Sequence, residues 1–182
     1  MDVSRDPTLE AELTRHLNGR PVHAFQSLGS TMDEAHRLAT EGAAEGTLVV
    51  ALRQEQGRGR LGRTWESPAG GVYLSLILRP TRSAAETPQL SLVAGLCVAE
   101  AIREVAGLSP SIRWPNDLLL DGKKVGGILI EAKNGAVVVG VGINVTTDPA
   151  LLPPTATSLK KCQTLPKAEK VSDTFPYRLI AE

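Results

Sequence analysis

Apolar residues recur at helical spacing in three segments of the chain. Asp6 before Pro7 is typical of an N-cap followed by proline at the first helical position, and leucines then follow every four residues. Ser30 can cap a second helix that ends at Gly42 and whose apolar positions share one face: Met32, Ala35, Leu38 and Ala39. A third pattern, over residues 89–106, predicts a longer helix.

The second half of the chain carries the clearest strand pattern. Apolar runs over residues 118–120, 125–131 and 136–145 are separated by Asp121-Gly122 and by Asn134-Gly135. Asp-Gly and Asn-Gly between β-rich runs are the strongest short-range signals of hairpins, so an antiparallel meander is predicted. Earlier strands are predicted at residues 22–25, 47–52 and 72–78. Helices that precede and interrupt such strands indicate an α+β fold.

The composition is that of one globular domain. The chain has 182 residues, of which 42% are hydrophobic and 22% are charged, and this is enough to bury a sizeable core. The net charge is zero, so no overall positive field attracts nucleic acid or anionic lipid. No apolar run is long enough to cross a bilayer and the first residues are not typical of a signal peptide, which predicts a cytoplasmic protein. Cysteine and histidine spacing predicts no metal site.

Residues 54–71 show no periodicity, which predicts a long loop, and we call residues 54–65 of it the arginine-glycine loop. Residues 57–64 match two phosphate-binding patterns, but both patterns must open a helix, and here the chain leads into a strand. Residues 53–63 hold four arginines against one glutamate, a net charge of +3. Guanidinium groups suit carboxylate or phosphate oxygens, and Trp65 offers a face for a heteroaromatic base. The alternative is a solvated basic loop.

A second polar cluster precedes the meander. Pro115 ends a strand, Asn116-Asp117 places polar groups at the strand edge, and the hairpin return brings Lys124 across from them. A carboxylate and an ammonium group therefore become neighbours. Two consecutive glycines, Gly126-Gly127, weaken a strand and often mark the close approach of a ligand. The alternative is a turn with a surface ion pair that contributes less than about 1 kcal/mol.

Taken together, five segments resemble the catalytic domain of biotin protein ligases: Ser30-Thr31 and residues 54–65, 113–117, 124–128 and 142–144. Their order and spacing agree with that family over about residues 27–159. The resemblance implies a mixed sheet with helices packed on one side, similar to class II aminoacyl-tRNA synthetases and lipoate ligases. It also implies a catalytic domain over residues 1–159 and a divergent or weakly ordered tail over residues 160–182.

Members of that family join biotin and MgATP into biotinyl-5′-AMP and pyrophosphate, and then transfer biotin to a lysine of a biotin carboxyl carrier protein. The resemblance therefore implies biotin, ATP and Mg²⁺ as ligands. It implies as partner the carrier protein of acetyl-CoA carboxylase or of a related biotin-dependent carboxylase. Because the biotin carboxylate is a weak nucleophile that faces an anionic phosphate, catalysis must neutralise charge and align the reactants.

The resemblance assigns roles to residues of this sequence. The implied catalytic residues are Lys124, which bridges carboxylate and α-phosphate, together with Arg60 and Asp117. The implied biotin contacts are Ser30, Thr31, Gln54, Arg58, Gly59, Arg60 and Lys124. The implied nucleotide contacts are Arg58, Arg60, Arg63, Trp65, Asn116 and Asn144, with Trp65 beside adenine. Asp117 has three open roles, which are to orient Lys124, to help hold magnesium or to take a proton from the acceptor lysine.

The chain departs from the family at both ends. About 20 residues precede the resemblance, which leaves no room for the DNA-binding domain of many relatives and implies a monofunctional ligase without a DNA role. The C-terminus is short, which predicts a truncated product with impaired activity, and an uncovered sheet face would favour a homodimer. Two alternatives stay open: a biotin-binding remnant without ligase activity, and a lipoate-protein ligase, which is disfavoured because its family lacks the arginine-glycine loop.

Overall fold

The computed structural model describes residues 4–80 and 87–162. The elements follow in this order: β1 (Ser4–Arg5), α1 (Pro7–His16), β2 (Val22–Ser27), α2 (Thr31–Thr40), β3 (Leu48–Ala51), β4 (Gly71–Leu78), α3 (Thr87–Ala106), β5 (Ser111–Arg113), β6 (Asp117–Leu120), β7 (Lys123–Lys133), β8 (Ala136–Asn144) and α4 (Leu159–Cys162). Short 3₁₀ helices lie at Arg60–Gly62 and Pro149–Leu151. The predicted tail lies outside the described residues from residue 163 onward.

One mixed sheet carries the strands in the order β1-β2-β3-β4-β8-β7-β6-β5. Strands β2 and β3 are parallel, and the other neighbouring pairs are antiparallel. The predicted meander is confirmed by its two turns. Asp121 and Gly122 have φ of 49° and 74°, and Asn134 and Gly135 have φ of 51° and 75°. Positive φ at both central residues is the hairpin geometry that Asp-Gly and Asn-Gly favour.

The helices cover both faces of the sheet. Strand β3 divides them, because Leu48 and Val50 pack with α1, whereas Val49 and Ala51 pack with α2. Helix α3 packs on the face that carries α1, through residues such as Ile102, which is 0% exposed. The mixed α+β sheet is confirmed, and α1 and α3 lie on one side as predicted. Helix α2 lies on the other side, because β3 is apolar on both faces and its second face must also be buried.

A β-bulge in β7 decides where Lys124 points. Asp117 pairs with Gly127 but Leu119 pairs with Lys124, so that Val125 is an extra residue on β7. Side chains two residues apart share a face, and a bulge reverses the alternation on the strand that carries it. Lys124 therefore shares a face with Gly127, on the side of the sheet that carries α2.

Within the described residues, no helix combines the length and the apolar character needed to cross a membrane.

Candidate active site

A cleft lies on the α2 side of the sheet, between β7, β8 and the arginine-glycine loop. Its floor includes Gly127, Gly140 and Gly142, and the loop forms its roof. Most of the residues predicted from the sequence line this single cleft: Thr31, Gln54, Arg58, Gly59, Arg60, Trp65, Asn116 and Lys124. The fold thus brings together the arginine-glycine loop, the polar cluster that precedes the meander and the start of α2.

One end of the cleft, which we call the neutral end, carries uncharged polar groups. Thr31 donates twice to Oε1 of Gln54, from its backbone N–H at 2.8 Å and from its hydroxyl at 3.0 Å. Ser75 donates to the Thr31 hydroxyl at 2.9 Å, and Nε2 of Gln54 donates to Ser67 at 2.8 Å. An amide nitrogen has two hydrogens and a hydroxyl oxygen has two lone pairs. Gln54 can therefore still donate to a ligand, and Thr31 can still accept from one.

Ser30 places a buried hydroxyl behind the neutral end, next to Thr31 in the chain but outside the cleft lining. It stands at the N-cap of α2 in extended conformation, with φ −154° and ψ 132°, but its side chain makes no capping hydrogen bond. Ser30 is 3% exposed, and its Oγ has no hydrogen-bond partner among the described residues. A buried polar group without a partner costs about 1–3 kcal/mol. The start of the helix is confirmed, and the hydroxyl remains able to bind a ligand.

The opposite end, which we call the charged end, is built around Lys124. Its Nζ lies 2.6 Å from Oδ1 of Asp117, and Nη2 of Arg113 lies 2.6 Å from Oδ2 of the same carboxylate. The strand pairing therefore makes Asp117 and Lys124 neighbours, as the sequence predicted. Burial alone raises the pKa of Asp117, but hydrogen bonds from Arg113 and Lys124 outweigh burial and hold its pKa below the usual value. Asp117 is an ionised partner that holds the lysine.

Trp65 lies beside Lys124 on the glycine floor. The Lys124 Nζ is 5.0 Å from the centre of the indole ring, which is within the range of a cation–π contact. A Cβ added to Gly142 would lie 2.6 Å from Nε1 of Trp65, and one added to Gly127 would lie 3.3 Å from Cε of Lys124. These strand glycines therefore admit two side chains of the site. The buried Nε1 of Trp65 has no hydrogen-bond partner in the described part of the chain.

Two arginines of the loop have different partners. Arg58 lies 2.8 Å from Glu131 of β7 and 3.1 Å from Asp33 of α2, so it fastens the loop to both elements. Arg60 donates to Oδ1 of Asn116 at 3.3 Å, which is a neutral partner on the other side of the cleft. Arg60 thus reaches across the cleft, which Arg58 also lines.

A second hollow continues from the charged end and shares Trp65 and Lys124 with the cleft. Asn144 lines it and is 2% exposed. Its Nδ2 donates to the carbonyl of Thr157 at 3.0 Å, whereas its Oδ1 has no partner among the residues described. The backbone of Lys124 holds this wall, because its N–H donates to Thr155 at 2.9 Å and its carbonyl accepts from Thr157 at 2.8 Å.

Four predicted residues are not part of the cleft lining. Ser30 and Asp117 adjoin the cleft through Thr31 and Lys124, Asn144 lines the second hollow, and Arg63 lies apart. Arg63 is exposed and lines a groove between the loop and β7. Three further residues were not indicated by the sequence. The added residues are Ser67, Ser75 and Glu131, which contact Gln54, Thr31 and Arg58 respectively. Ser75 had a usable signal, because it is a polar residue within the apolar run of β4. Ser67 and Glu131 had none.

Known proteins that are similar to this chain are protein ligases. Residues 24–148 match the Biotin/lipoate A/B protein ligase family. The bifunctional ligase/repressor BirA of Bacillus subtilis is 46% identical over 143 residues, which cover 75% of this chain and 44% of that protein. A biotin–[acetyl-CoA-carboxylase] ligase of Mycobacterium tuberculosis is 36% identical over 169 residues, covering 87% of this chain and 64% of that protein.

Solved structures of biotin protein ligases are also similar to this chain. The biotin protein ligase from Aquifex aeolicus in complex with biotin and ATP superposes with a TM-score of 0.69 and 35% identity. The match covers 88% of this chain and 68% of that protein. The chain spans about half the length of the curated relatives that it matches.

Proposed function

Since the chain belongs to the biotin/lipoate A/B protein ligase family, we propose that it is a biotin protein ligase. In the first step, the biotin carboxylate attacks the α-phosphate of MgATP, forming biotinyl-5′-AMP and releasing pyrophosphate. In the second step, the amine of an acceptor lysine attacks the activated carbonyl, so that an amide forms and AMP leaves. Because the chain spans about half the length of its curated relatives, both steps are proposals for this chain.

The remaining hydrogen-bonding capacity of the neutral end carries this proposal. A cyclic urea such as the head of biotin presents one carbonyl acceptor and two N–H donors. Gln54 keeps a donor, Thr31 keeps an acceptor, and the Ser30 hydroxyl can do either. The dithiolane ring of lipoate has no such groups, and it would leave these buried atoms without partners. This contrast favours biotin over lipoate.

The charged end suits the activation of a carboxylate. An ammonium group held by Asp117 can neutralise the biotin carboxylate and the α-phosphate together, which we propose for Lys124. Arg60 lies over the same space and can stabilise charge on the phosphate. Such preorganised charge acts without further rearrangement when the reaction occurs. We propose that the loop, including Gly59, covers the adenylate and excludes water.

We propose that the nucleotide lies in the hollow beyond Trp65. The indole supplies an aromatic face for adenine, and the unpartnered Oδ1 of Asn144 can accept a hydrogen bond from the exocyclic amine. Asn116 lines the cleft and accepts a hydrogen bond from Arg60, and we propose that it contacts the nucleotide from there. For Arg58 we propose that the side chain anchors the loop, while its backbone adjoins the ligand. Arg63, predicted to bind nucleotide, would act at the outer groove.

Of the three roles open to Asp117, we propose the orientation of Lys124. Its lowered pKa makes the carboxylate a weak base for a lysine amine, whose unperturbed pKa is about 10.4. Lys124 and Arg113 engage its two oxygens, which leaves them poorly suited to a metal ion. We propose that magnesium enters with the phosphates of ATP as part of the MgATP substrate.

We propose a biotin carboxyl carrier domain as the protein partner, since the Mycobacterium tuberculosis relative is named for acetyl-CoA carboxylase. We also propose a cytoplasmic location, where such carboxylases and ATP are present. A homodimer stays a prediction. Exposed apolar side chains on α3, namely Leu92, Val93 and Leu96, support it.

Pyrophosphate release from biotin and MgATP tests the proposal, measured with and without a biotin carboxyl carrier domain. Release together with labelling of the carrier lysine supports both steps. Biotin binding in calorimetry without pyrophosphate release would identify a biotin-binding remnant instead. A parallel reaction with lipoate is the control. Preferential use of lipoate would overturn the assignment.

A further inference from the structure

Ser67 is buried at the base of the arginine-glycine loop and joins its two ends. Its Oγ accepts a hydrogen bond from Nε2 of Gln54 at 2.8 Å and donates to the carbonyl of Trp65 at 3.0 Å. Its own carbonyl accepts from the N–H of Gln54 at 3.1 Å. Gln54 belongs to the neutral end, whereas Trp65 belongs to the charged end. One serine therefore contacts the side chain of the first functional residue of the loop and the backbone carbonyl of the last.

These contacts fix the plane of the Gln54 amide. The two bonds from Thr31 hold Oε1, and the bond to Ser67 holds Nε2. An amide group held at both its oxygen and its nitrogen cannot rotate, so its second N–H has one direction. Without Ser67, the oxygen stays attached to Thr31, but the nitrogen loses its acceptor and the donor direction is no longer set.

The base of the loop has no room for an alternative arrangement. A Cβ on Gly57 would collide with the Trp65 carbonyl oxygen and would lie 2.5 Å from Oγ of Ser67 and 3.1 Å from Nε2 of Gln54. The N–H of Trp65 also donates to the carbonyl of Gly57 at 2.9 Å. Ser67 itself is 6% exposed, so water does not readily replace its hydroxyl. The geometry is compact, and the Ser67 hydroxyl is its side-chain link between Gln54 and the Trp65 backbone.

We propose that Ser67 is a positioning residue for ligand selection: it aims the remaining donor of Gln54 at the carbonyl of the bound urea and ties that position to the Trp65 backbone. This inference rests on the proposed function. The inference deepens that function, because it assigns a part in the recognition of the urea to a residue that does not touch the ligand. Ser67 acts through Gln54, whereas the charge on Lys124 is independent of it.

The test is Ser67→Ala, with biotin affinity measured by calorimetry without ATP and with the KM and kcat of pyrophosphate release. We expect the biotin Kd and KM to rise roughly tenfold, as for the loss of one well-aligned buried hydrogen bond. We expect kcat to change less than about twofold, because the charged end is intact. Ser91→Ala is the matched control. It removes a half-buried hydroxyl that donates to the Pro115 carbonyl at 2.8 Å, without contacting Gln54.

A double-mutant cycle distinguishes positioning from general destabilisation. In a Gln54→Ala background, Ser67→Ala should raise the biotin Kd by less than about twofold, because the residue through which it acts is gone. If the two substitutions instead raise the biotin Kd by independent factors that multiply in the double variant, the inference is overturned. An unchanged biotin Kd in Ser67→Ala, or a loss of kcat with the KM unchanged, would also overturn it.

Two further measurements keep the outcomes separate. If Ser67→Ala does not fold, as judged by its thermal unfolding, Ser67→Cys keeps nearly the same shape with a much weaker hydrogen-bonding group. The same rise in biotin KM is then expected, and a wild-type KM would overturn the inference. If the wild-type protein releases no pyrophosphate and binds no biotin, the proposed function fails. If the wild-type protein is active and the serine variants match it, only the role of Ser67 fails.

Discussion

At the neutral end of the cleft, Ser30 and Thr31 are each 3% exposed, whereas at the charged end the side chain of Lys124 is 29% exposed and that of Arg113 is 59% exposed. The neutral end consists of uncharged groups that bond to one another, apart from the capacity left for a ligand. The charged end consists of ion pairs that remain in contact with water. A ligand in the cleft would therefore meet the two ends under different dielectric conditions.

Under the proposed function, this difference would assign ligand selection to the neutral end and chemistry to the charged end. A buried polar group without a partner costs about 1–3 kcal/mol, so the neutral end can reject a ligand with the wrong donors and acceptors. Exposed ion pairs contribute about 0–1 kcal/mol to stability, so Lys124 and its partners matter for where charge is placed rather than for folding. Substitutions at the two ends should accordingly affect different kinetic constants.

The largest effect is expected at the charged end. Lys124→Ala should lower the kcat of adenylate formation by about 10²–10³-fold, because it removes a preorganised positive charge at the reacting atoms. The biotin Kd without ATP should change much less. Lys123→Ala is the matched control, since this exposed neighbour lies on the same strand. Equal losses in the two variants, measured by pyrophosphate release, would contradict the role of Lys124.

At the neutral end, Gln54→Ala should raise the biotin KM by about 10–100-fold while kcat falls little. The substitution removes a donor to the ligand and leaves the Thr31 N–H without its acceptor. Calorimetry with biotin alone should show the same change in Kd. The exposed Gln56 gives a control of the same residue type, because Gln56→Ala should behave like the wild type. A fall in kcat with an unchanged KM for biotin in Gln54→Ala would mean that the neutral end takes part in the chemical step, which would contradict the separation of the two ends.

A smaller effect should follow from filling the glycine floor. Gly142→Ala places a methyl group 2.6 Å from Nε1 of Trp65, so the indole must move, and overpacking of this kind costs about 1–3 kcal/mol. We expect the KM for ATP to rise about tenfold and the KM for biotin to change less. Gly140→Ala is the comparison, because its Cβ would meet the flexible side chain of Met32, which can shift. An equal rise in the KM for ATP in Gly142→Ala and Gly140→Ala would argue against a role of Trp65 in nucleotide binding.

The smallest effect concerns pH. The folded-state pKa of Asp117 lies below its ordinary value of 3.8, so its stabilising ion pairs are present above about pH 4 and are lost as the pH falls through the folded pKa. Over the neutral range, the carboxylate stays ionised. Asp117→Asn should therefore lower kcat by the same factor from about pH 6 to pH 9. A ratio of wild-type to variant rates that changes across this range would mean that Asp117 transfers a proton.

Local sequence signals predicted the parts of the fold that depend on neighbours along the chain. Asp121-Gly122 and Asn134-Gly135 adopt positive φ readily, and they define the meander without help from distant residues. The N-cap at Asp6 is equally local, and its side chain accepts from the N–H of Leu9. The position of α2 on the opposite face was missed because it depends on strands that pair across the whole sheet.

Some residues of the candidate site could likewise be predicted from the sequence, and others could not. Thr31, Gln54 and Lys124 could be found because their residue types and order carry chemical meaning, and the structure places them in one cleft. Ser67 could not be found from its neighbours, since an isolated serine after a loop has no distinctive pattern. The location of Arg63 also depends on the path of the loop, which lacks any repeating period.

The sequence by itself determined the order of the elements, the hairpin turns and the residue types available for chemistry, because these depend on backbone preferences and side-chain groups of adjacent residues. Tertiary structure decided which of those groups meet. The extra residue Val125 turns Lys124 toward the cleft, and the backbone of β8 supports Trp65 at Gly142. The bulge belongs to the β6–β7 hairpin, but the position of Gly142 requires β4 and β8, which are distant in sequence, to pair in one register. That register is set by burial on two faces of the sheet.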